Sequence, residues 1–441
     1  MRNLSVNLFS KQVVSTFMVQ FFSLILGVLN AAIIARWLGP QGKGIVALAM
    51  LVPGILSLVA SGGINIANVY FAGSRKIDLK KLGRNSSFYG IVASGCSILL
   101  IIALMLSGLF QRIVPGVDID LVLLALVGLP IGLWAGAVGS ILHGLRMIFT
   151  INKISLLRSV LGVILVALFI VALGLGIKGA ILASVLSGLF GAIVSAVYAK
   201  KAGASLLPGW DPLVFKRTVT YGIKGHIGNI LQFFNYRLDM FIVNYFLSPT
   251  NVGIYSVSVA LAELLWYFPN AVGFVIFPKA ASTSDEEMNR FTPNVFQVTL
   301  FLTLLGAIGL ALIGKLLIEL IYSPVFLPAY KPMLALLPGV VLLGGAKVLA
   351  NEIAGRGYPQ LNSINAFIAL ILTVSFDLIL IPKWGVLGAS VASSIAYSAI
   401  FSVSIGFYLH VSKTSPKSLM YPSVRVLWNE LQNAIRLRTS G

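Results

Sequence analysis

The stretch Leu38-Gly39-Pro40-Gln41-Gly42-Lys43-Gly44 returns 209 residues later as Leu247-Ser248-Pro249-Thr250-Asn251-Val252-Gly253. Each copy closes one long apolar run and opens the next. Three further matches keep the same order. Gly179-Ala180 with Ala183-Ser184 returns as Gly388-Ala389 with Ala392-Ser393, again at 209. Arg146 and Asn152 return as Arg356 and Asn362 at 210, and Leu129-Pro130 as Leu337-Pro338 at 208. One match of this kind is weak, but four in order at nearly one offset mark an internal duplication.

The duplicated unit lies in a membrane. Charged residues make up 10% of the 441, apolar residues 58%, and the mean hydropathy is +0.96. A soluble domain needs roughly 25% charge to cover its surface, so that class is excluded. Apolar runs long enough to span occur at 13–35, 45–70, 88–110, 121–142, 156–175, 179–199, 227–247, 252–278, 295–320, 333–350, 364–382 and 386–410. In lipid these runs are helices, because barrel strands are about 10 residues long and alternate in polarity. The first run is longer than the apolar core of a cleaved signal, and many spans follow it, so it reads as retained.

The fold class expected is an all-α membrane protein of about twelve transmembrane helices in two parallel six-helix repeats around a central cavity. The even number of spans per copy gives both copies the same orientation, with any substrate path at their interface. The domains expected are 1–202, 203–412 and a basic tail at 413–441. From Pro422 that tail places Val424, Leu427, Trp428, Leu431 and Ile435 on one stripe, the pattern of an interfacial amphipathic helix.

The net charge of +19 does not point to nucleic acid, because the basic residues fall between apolar runs rather than on one soluble face. With both termini inside, 24 of the 32 basic residues lie on the cytoplasmic side or at the ends, which sets the orientation. The single cysteine, Cys96, sits in an apolar run and forms no intrachain disulfide. His143, His226 and His410 have no metal-ligand spacing, and no phosphate-binding loop, nucleophile elbow or paired carboxylates occur. No catalytic residue, metal or cofactor is therefore expected.

Ionisable residues within spans are the functional candidates, since an unpaired charge at mid-bilayer is costly. Arg237 and Asp239 fall near the middle of the seventh run, Glu263 in the eighth and Asp377 in the eleventh, with Lys347 and Glu352 at the end of the tenth. Arg237 and Asp239 are two apart, so each needs a partner elsewhere. The plainer reading of Asp239, Glu263 and Asp377 is interhelical salt bridges, and the functional one is proton or sodium coupling. Arg146, Lys153, Arg158, Lys224, His226 and Arg356 ring the cytoplasmic mouth. They are either topology-setting charges or a vestibule for an anion, with Arg146 and Arg356 expected to face each other as repeat mates. Arginine suits a diphosphate because its planar donors bind two oxygens at once.

Ala35-Arg36-Trp37-Leu38-Gly39-Pro40 with Gly44 resembles the early signature of the lipid-linked oligosaccharide and polysaccharide flippases. So do Arg237-Leu238-Asp239-Met240-Phe241-Ile242, Gly253-Ile254-Tyr255-Ser256, and the stretch Gly355-Arg356-Gly357-Tyr358-Pro359 with Asn362, Asn365, Ile381-Pro382, Gly385 and Gly388-Ala389. That resemblance implies the multidrug/oligosaccharidyl-lipid/polysaccharide exporter superfamily. It further implies movement of an undecaprenyl-diphosphate-linked oligosaccharide, an O-antigen or exopolysaccharide repeat unit, from the cytoplasmic to the periplasmic leaflet of a bacterial inner membrane. The expected mechanism is alternating access coupled to an H+ or Na+ gradient.

On this reading Arg237, Arg146, Arg356, Lys224 and Lys153 bind the anionic head, and Asp239, Glu263 and Asp377 couple the ion. Membrane lipids, a polysaccharide polymerase and chain-length machinery are the expected partners, with no nucleic acid. The alternatives are a drug or metabolite cation antiporter of the same superfamily, favoured by a net negative cavity, and a membrane-embedded sugar polymerase or ligase. A polymerase or ligase usually works through a large external loop, and the longest connection here is the cytoplasmic stretch Lys200–Gly225.

Overall fold

A computed structural model of the chain describes residues 2–420, and the amphipathic stripe expected from Pro422 onward lies outside the described residues. Among the described residues the chain is all helix. The helices of the first half are α1 (Arg2–Ala60), α2 (Ile64–Ser74), α3 (Leu79–Leu106), α4 (Leu109–Ile113), α5 (Ile119–Leu126), α6 (Gly128–Gly144), α7 (Ile148–Val166) and α8 (Gly176–Lys201). Those of the second half are α9 (Pro212–Phe246), α10 (Pro249–Glu263), α11 (Tyr267–Ser282), α12 (Asp285–Leu317), α13 (Tyr330–Gly355), α14 (Pro359–Trp384), α15 (Val386–Ser412) and α16 (Pro416–Met420).

Ten described segments are long and apolar enough to cross a membrane. The first of them, Ser15–Ala60, is two spans, because Gly39 breaks α1 with φ 64 and ψ −173. Only glycine takes that conformation without steric cost, and Pro40 then starts the second limb with its φ already helical. The 35-residue α9 is also long enough to span, but Gln232, Asn235, Arg237, Asp239 and Asn244 dilute its hydropathy. With α1 counted as two limbs and α9 added, the twelve expected spans are present.

The duplication is visible in backbone detail. At the end of α6, the amides of Leu145, Arg146 and Met147 donate to the carbonyls of Ile141, His143 and Leu142. At the end of α13, the amides of Arg356, Gly357 and Tyr358 donate to those of Glu352, Ala354 and Ile353. A Cβ on Gly144 would meet Val69 O, Ala72 Cβ and Gly73 N, and one on Gly355 would meet Phe277 O, Ala280 Cβ and Ala281 N. These contacts pair Gly144 with Gly355 and therefore Arg146 with Gly357, which share the left-handed position at φ 57 and 95. Arg356 is the mate of Leu145. The sequence match between Arg146 and Arg356 is displaced by one residue, because it aligned side chains while the turn is set by the backbone.

The chain folds into two compact units. The first takes in the described residues up to Ile230, with Met240–Ser256 and Leu317–Leu327, and the second takes in Leu231–Asp239, Val257–Leu316 and the described residues from Pro328. One core of the first unit is built from Phe71, Leu82, Val138, Ile141 and Leu142. Inside it, Asn68 donates to Ser86 Oγ at 2.8 Å and to the Ala137 carbonyl at 2.9 Å. A core of the second unit gathers Ile276, Met288, Phe296, Leu349, Ile353 and Tyr408. Outward rows such as Phe301, Leu305, Ile308 and Leu312 on α12 are exposed, as lipid-facing surfaces require.

Candidate functional site

The middle of α9, Leu231–Asp239, carries a group of polar side chains within the second unit. Arg237 donates from Nη1 to Glu263 Oε1 at 3.0 Å and from Nη2 to Glu263 Oε2 at 3.1 Å, a two-pronged pair between α9 and the end of α10. Both side chains are about one-quarter to one-third exposed, so the pair is half-buried rather than sealed. Neither residue faces a mate on its own helix. The plainer expectation, an interhelical salt bridge, is therefore what the structure shows for Glu263 and also for Arg237.

Beside this pair stands a second cation that sequence reasoning had placed at a helix end. Lys347 lies eight residues before the end of α13, about 12 Å along the axis at 1.5 Å per residue. Its ammonium donates to Asn270 Oδ1 at 2.9 Å and lies 4.5 Å from the Trp266 ring centre and 5.8 Å from that of Tyr236. Such placements over aromatic faces stabilise a cation by roughly 0.5–2 kcal/mol. The platform is rigid: Trp266 donates to the Val340 carbonyl at 3.2 Å, and Tyr397 meets both Tyr236 and Trp266 edge to face. Lys347 forms no ion pair among the described residues, and the carboxylate that acts on it, Glu263, is already gripped by Arg237. Arg237, Lys347 and Glu263 sum to one positive charge, and Asp239, two residues along α9, also acts on the guanidinium and brings the sum of the four to zero. The signal for Lys347 was its place inside the apolar run 333–350, on a helix that continues to Gly355.

A second polar group joins α9 to α14. Thr373 donates to Asn235 Oδ1 at 2.8 Å, and one helical turn further along each helix stand Asp239 and Asp377. Asp239 is 2% exposed and Asp377 is fully buried. Neither oxygen of Asp377 has a hydrogen-bond partner, nor does Asn235 Nδ2. A buried carboxylate without a donor is unstable as an anion and calls for a proton or a cation.

The mouth residues have different surroundings. The Arg356 side chain is buried: Nε donates to Glu352 Oε1 at 2.6 Å, Nη1 to Asp285 Oδ1 at 3.1 Å and Nη2 to Asn289 Oδ1 at 2.6 Å. It braces the end of α13 against the start of α12 with its donors engaged. Arg146, Lys153 and Lys224 are exposed and form no ion pair among the described residues. His226, which the ring also included, is buried, with Nε2 2.9 Å from the Leu58 carbonyl.

Comparison with known proteins fits this architecture. Residues 33–331 match the family described as polysaccharide biosynthesis protein. An uncharacterized membrane protein of Methanocaldococcus jannaschii is 23% identical over 220 residues, 49% of this chain and 43% of that protein. A probable low-salt glycan biosynthesis flippase of Haloferax volcanii, Agl15, is 21% identical over 193 residues, 43% of this chain and 40% of that protein. Each match takes in less than half of the relative's length. Among solved structures, lipid II flippase MurJ in an inward closed conformation superimposes with a TM-score of 0.72 at 19% identity, covering 92% of this chain and 89% of that one. An inward-facing multidrug resistance MATE family transporter of the MOP superfamily gives 0.69 at 16% identity, covering 88% and 94%. Identities this low show the fold, a two-repeat helical membrane fold shared with that superfamily.

Proposed function

We propose, since the chain belongs to the polysaccharide biosynthesis protein family, that it is a flippase for a lipid-linked oligosaccharide and forms no bonds in its substrate. The observation that carries this reading is Lys347, a cation with no ion pair among the described residues, beside the Arg237–Glu263 pair. A diphosphate linking sugar to lipid supplies the anion that Lys347 lacks. Lys347 offers it free donors, and Arg237 has a fork that can exchange Glu263 for phosphate oxygens. Low-dielectric walls strengthen that attraction. The carrier we assign is undecaprenyl diphosphate, moved from the cytoplasmic to the outer leaflet by alternating access, with both termini cytoplasmic. Arg146, Lys153 and Lys224 serve as exposed cations that draw the head group in.

We assign ion coupling to Asp377 with Asp239 rather than to Glu263, whose carboxylate is engaged by Arg237. A proton or sodium ion relieves the buried charge, and its release returns the unit to its starting state. In proteoliposomes with an imposed gradient, Asp377→Asn is expected to cut gradient-driven transport at least tenfold while leaving downhill exchange of the lipid. If Asp377→Asn responded to proton and sodium gradients as the wild type does, coupling would lie elsewhere.

The direct test of the flippase reading is movement of a fluorescent undecaprenyl-diphosphate-linked oligosaccharide across reconstituted vesicles. Lys347→Gln is expected to lower that rate at least tenfold, and Lys347→Arg to keep most of it. A double variant Arg237→Ala/Lys347→Gln with full transport would sink the central-cation assignment. The cation-antiporter reading draws on the same two carboxylates, Asp239 and Asp377. Uptake of a cationic dye by vesicles that do not move the glycolipid would favour it.

A further inference from the structure

The first unit holds a partly open cavity of about 870 Å³ lined by residues of α1, α2, α5, α6, α7 and α8. Pockets that enclose small molecules run from about 300 to 1,000 Å³. Its α6 wall is a row of glycines at 128, 132, 136 and 139. That row keeps the space open, and at Gly139 nothing lies within 4 Å of where a Cβ would stand. Opposite Gly136 stands Asn65, its Nδ2 3.3 Å from the site of a Cβ there. Asn65 Oδ1 is shielded from solvent and accepts no hydrogen bond.

Into the same space α7 sends Arg158, which sequence reasoning had placed at the mouth. The helix begins at Ile148, so Arg158 lies ten residues in, about 15 Å along the axis. Its stem fits a slot on α8: the Cδ is 3.2 Å from a Cβ built on Gly191, and Nη2 is 4.0 Å from one on Gly188. No described residue gives Arg158 a hydrogen bond or an ion pair, and no acidic residue lines the cavity. His143 is the other titratable lining side chain. An arginine this deep in a span faces a cavity or a partner, and here no protein anion meets it.

We infer that this chamber is a second anion-binding site, besides that at Arg237 and Lys347, and that the phosphate-and-sugar head of the glycolipid occupies it at another stage of transport. Arg158 grips phosphate oxygens, and Asn65 with Ser57 meets sugar hydroxyls against the bare α6 wall. The identity of the ligand rests on the flippase reading, whereas the preference of the chamber for anions does not. Arginine's planar fork suits phosphate, and a carboxamide oxygen without a donor suits a hydroxyl.

The test uses the full chain in vesicles, with Cys96→Ser removing its one cysteine and Gly139→Cys placing a thiol in the chamber. The thiol is titrated with an anionic sulfonatoethyl and a cationic trimethylammonioethyl methanethiosulfonate. The anionic reagent is expected to react about tenfold faster or more, the scale of a focused field. Arg158→Gln should abolish that preference and Arg158→Lys should keep it. If Arg158→Gln fails to fold, Gly188→Val closes the slot from the facing wall and should weaken the preference in its place. A short polyprenyl diphosphate bearing N-acetylglucosamine should then protect the thiol, and protection should vanish in Arg158→Gln.

Equal rates for the two reagents, or a preference unchanged in Arg158→Gln, would overturn the anion site. Unprotected thiol in vesicles that do move the probe would overturn the assignment of the head group to this chamber and leave the flippase reading standing. An anion preference in vesicles that neither bind nor move the probe would remove the flippase reading, and the glycolipid assignment with it.

Discussion

Arg356→Ala is expected to destabilise the protein by about 3–5 kcal/mol, the usual effect of removing one partner of a buried ion pair. Glu352 is fully buried, and the Arg356 side chain is 4% exposed. The guanidinium is the one cation paired with that carboxylate among the described residues, and it also holds Asn289 and Asp285 at the start of α12. Alanine would leave Glu352 charged in a site without a counter-ion, and its Oε2 already lacks a hydrogen-bond partner. The Asp285 arm adds little, because that carboxylate is 82% exposed and screened by water.

The companion variant separates a brace from a substrate contact. Replacing both partners, Arg356→Met with Glu352→Leu, removes the charge along with its need for compensation and is expected to restore most of the stability. Melting of the purified protein in detergent, followed by tryptophan fluorescence, measures both. If the arginine only braces α12 to α13, the restored double variant also moves glycolipid at a rate within a few-fold of the wild type. A double variant that melts normally yet transports nothing would return Arg356 to the substrate path. A single variant that melts with the wild type would show that Glu352 carries no charge to compensate.

Arg356 also illustrates how far the sequence by itself reaches. The spans, the duplication and the depth of Arg237, Asp239 and Asp377 were all legible, because lipid forces helices and taxes every charge within them. What pairs with each charge was not legible. Arg237 and Glu263 are 26 residues apart on separate helices, and only the packing of α9 against α10 brings them together. Lys347 and Arg158 were drawn to span ends by averaging, since a window of hydropathy stops where a polar residue dilutes it while the helix itself runs on. The helix that carries Arg158 has Asn152, Lys153 and Ser155 in its first turns, so the hydropathic span starts later than the structural one. A glycine slot that accepts the stem of an arginine leaves no periodic trace in sequence.

The glycines of the opening repeat support the other large prediction: leucine at Gly44 or at Gly253 is expected to abolish transport and to lower the yield of folded protein. Within the first unit, the start of the second limb of α1 crosses the start of α10 at these two residues. A Cβ on Gly44 would collide with the Pro249 carbonyl oxygen, and one on Gly253 with the Pro40 carbonyl oxygen. The amide nitrogens crowd the same positions from further off: Gly253 N lies 2.9 Å from the first and Gly44 N 3.1 Å from the second. The obstacles are backbone on both sides, so no change of rotamer relieves them. The reciprocity of the two contacts is a local two-fold relation between repeat mates, which explains why both copies keep glycine at this offset.

Overpacking of this kind destabilises by typically about 1–3 kcal/mol where side chains can yield, and by more where they cannot. Because the two glycines share one crossing, their alanine variants should not add. Once Gly44→Ala has pushed the helices apart, Gly253→Ala meets less resistance, and the coupling in a double-mutant cycle is expected to reach about 1 kcal/mol or more. Gly54→Ala is the control, since nothing lies within 4 Å of a Cβ there and the residue is helical. Additive alanine effects would mean that the two contacts are independent. A Gly44→Leu protein that melts and transports as the wild type does would show that the helices do not cross at these residues.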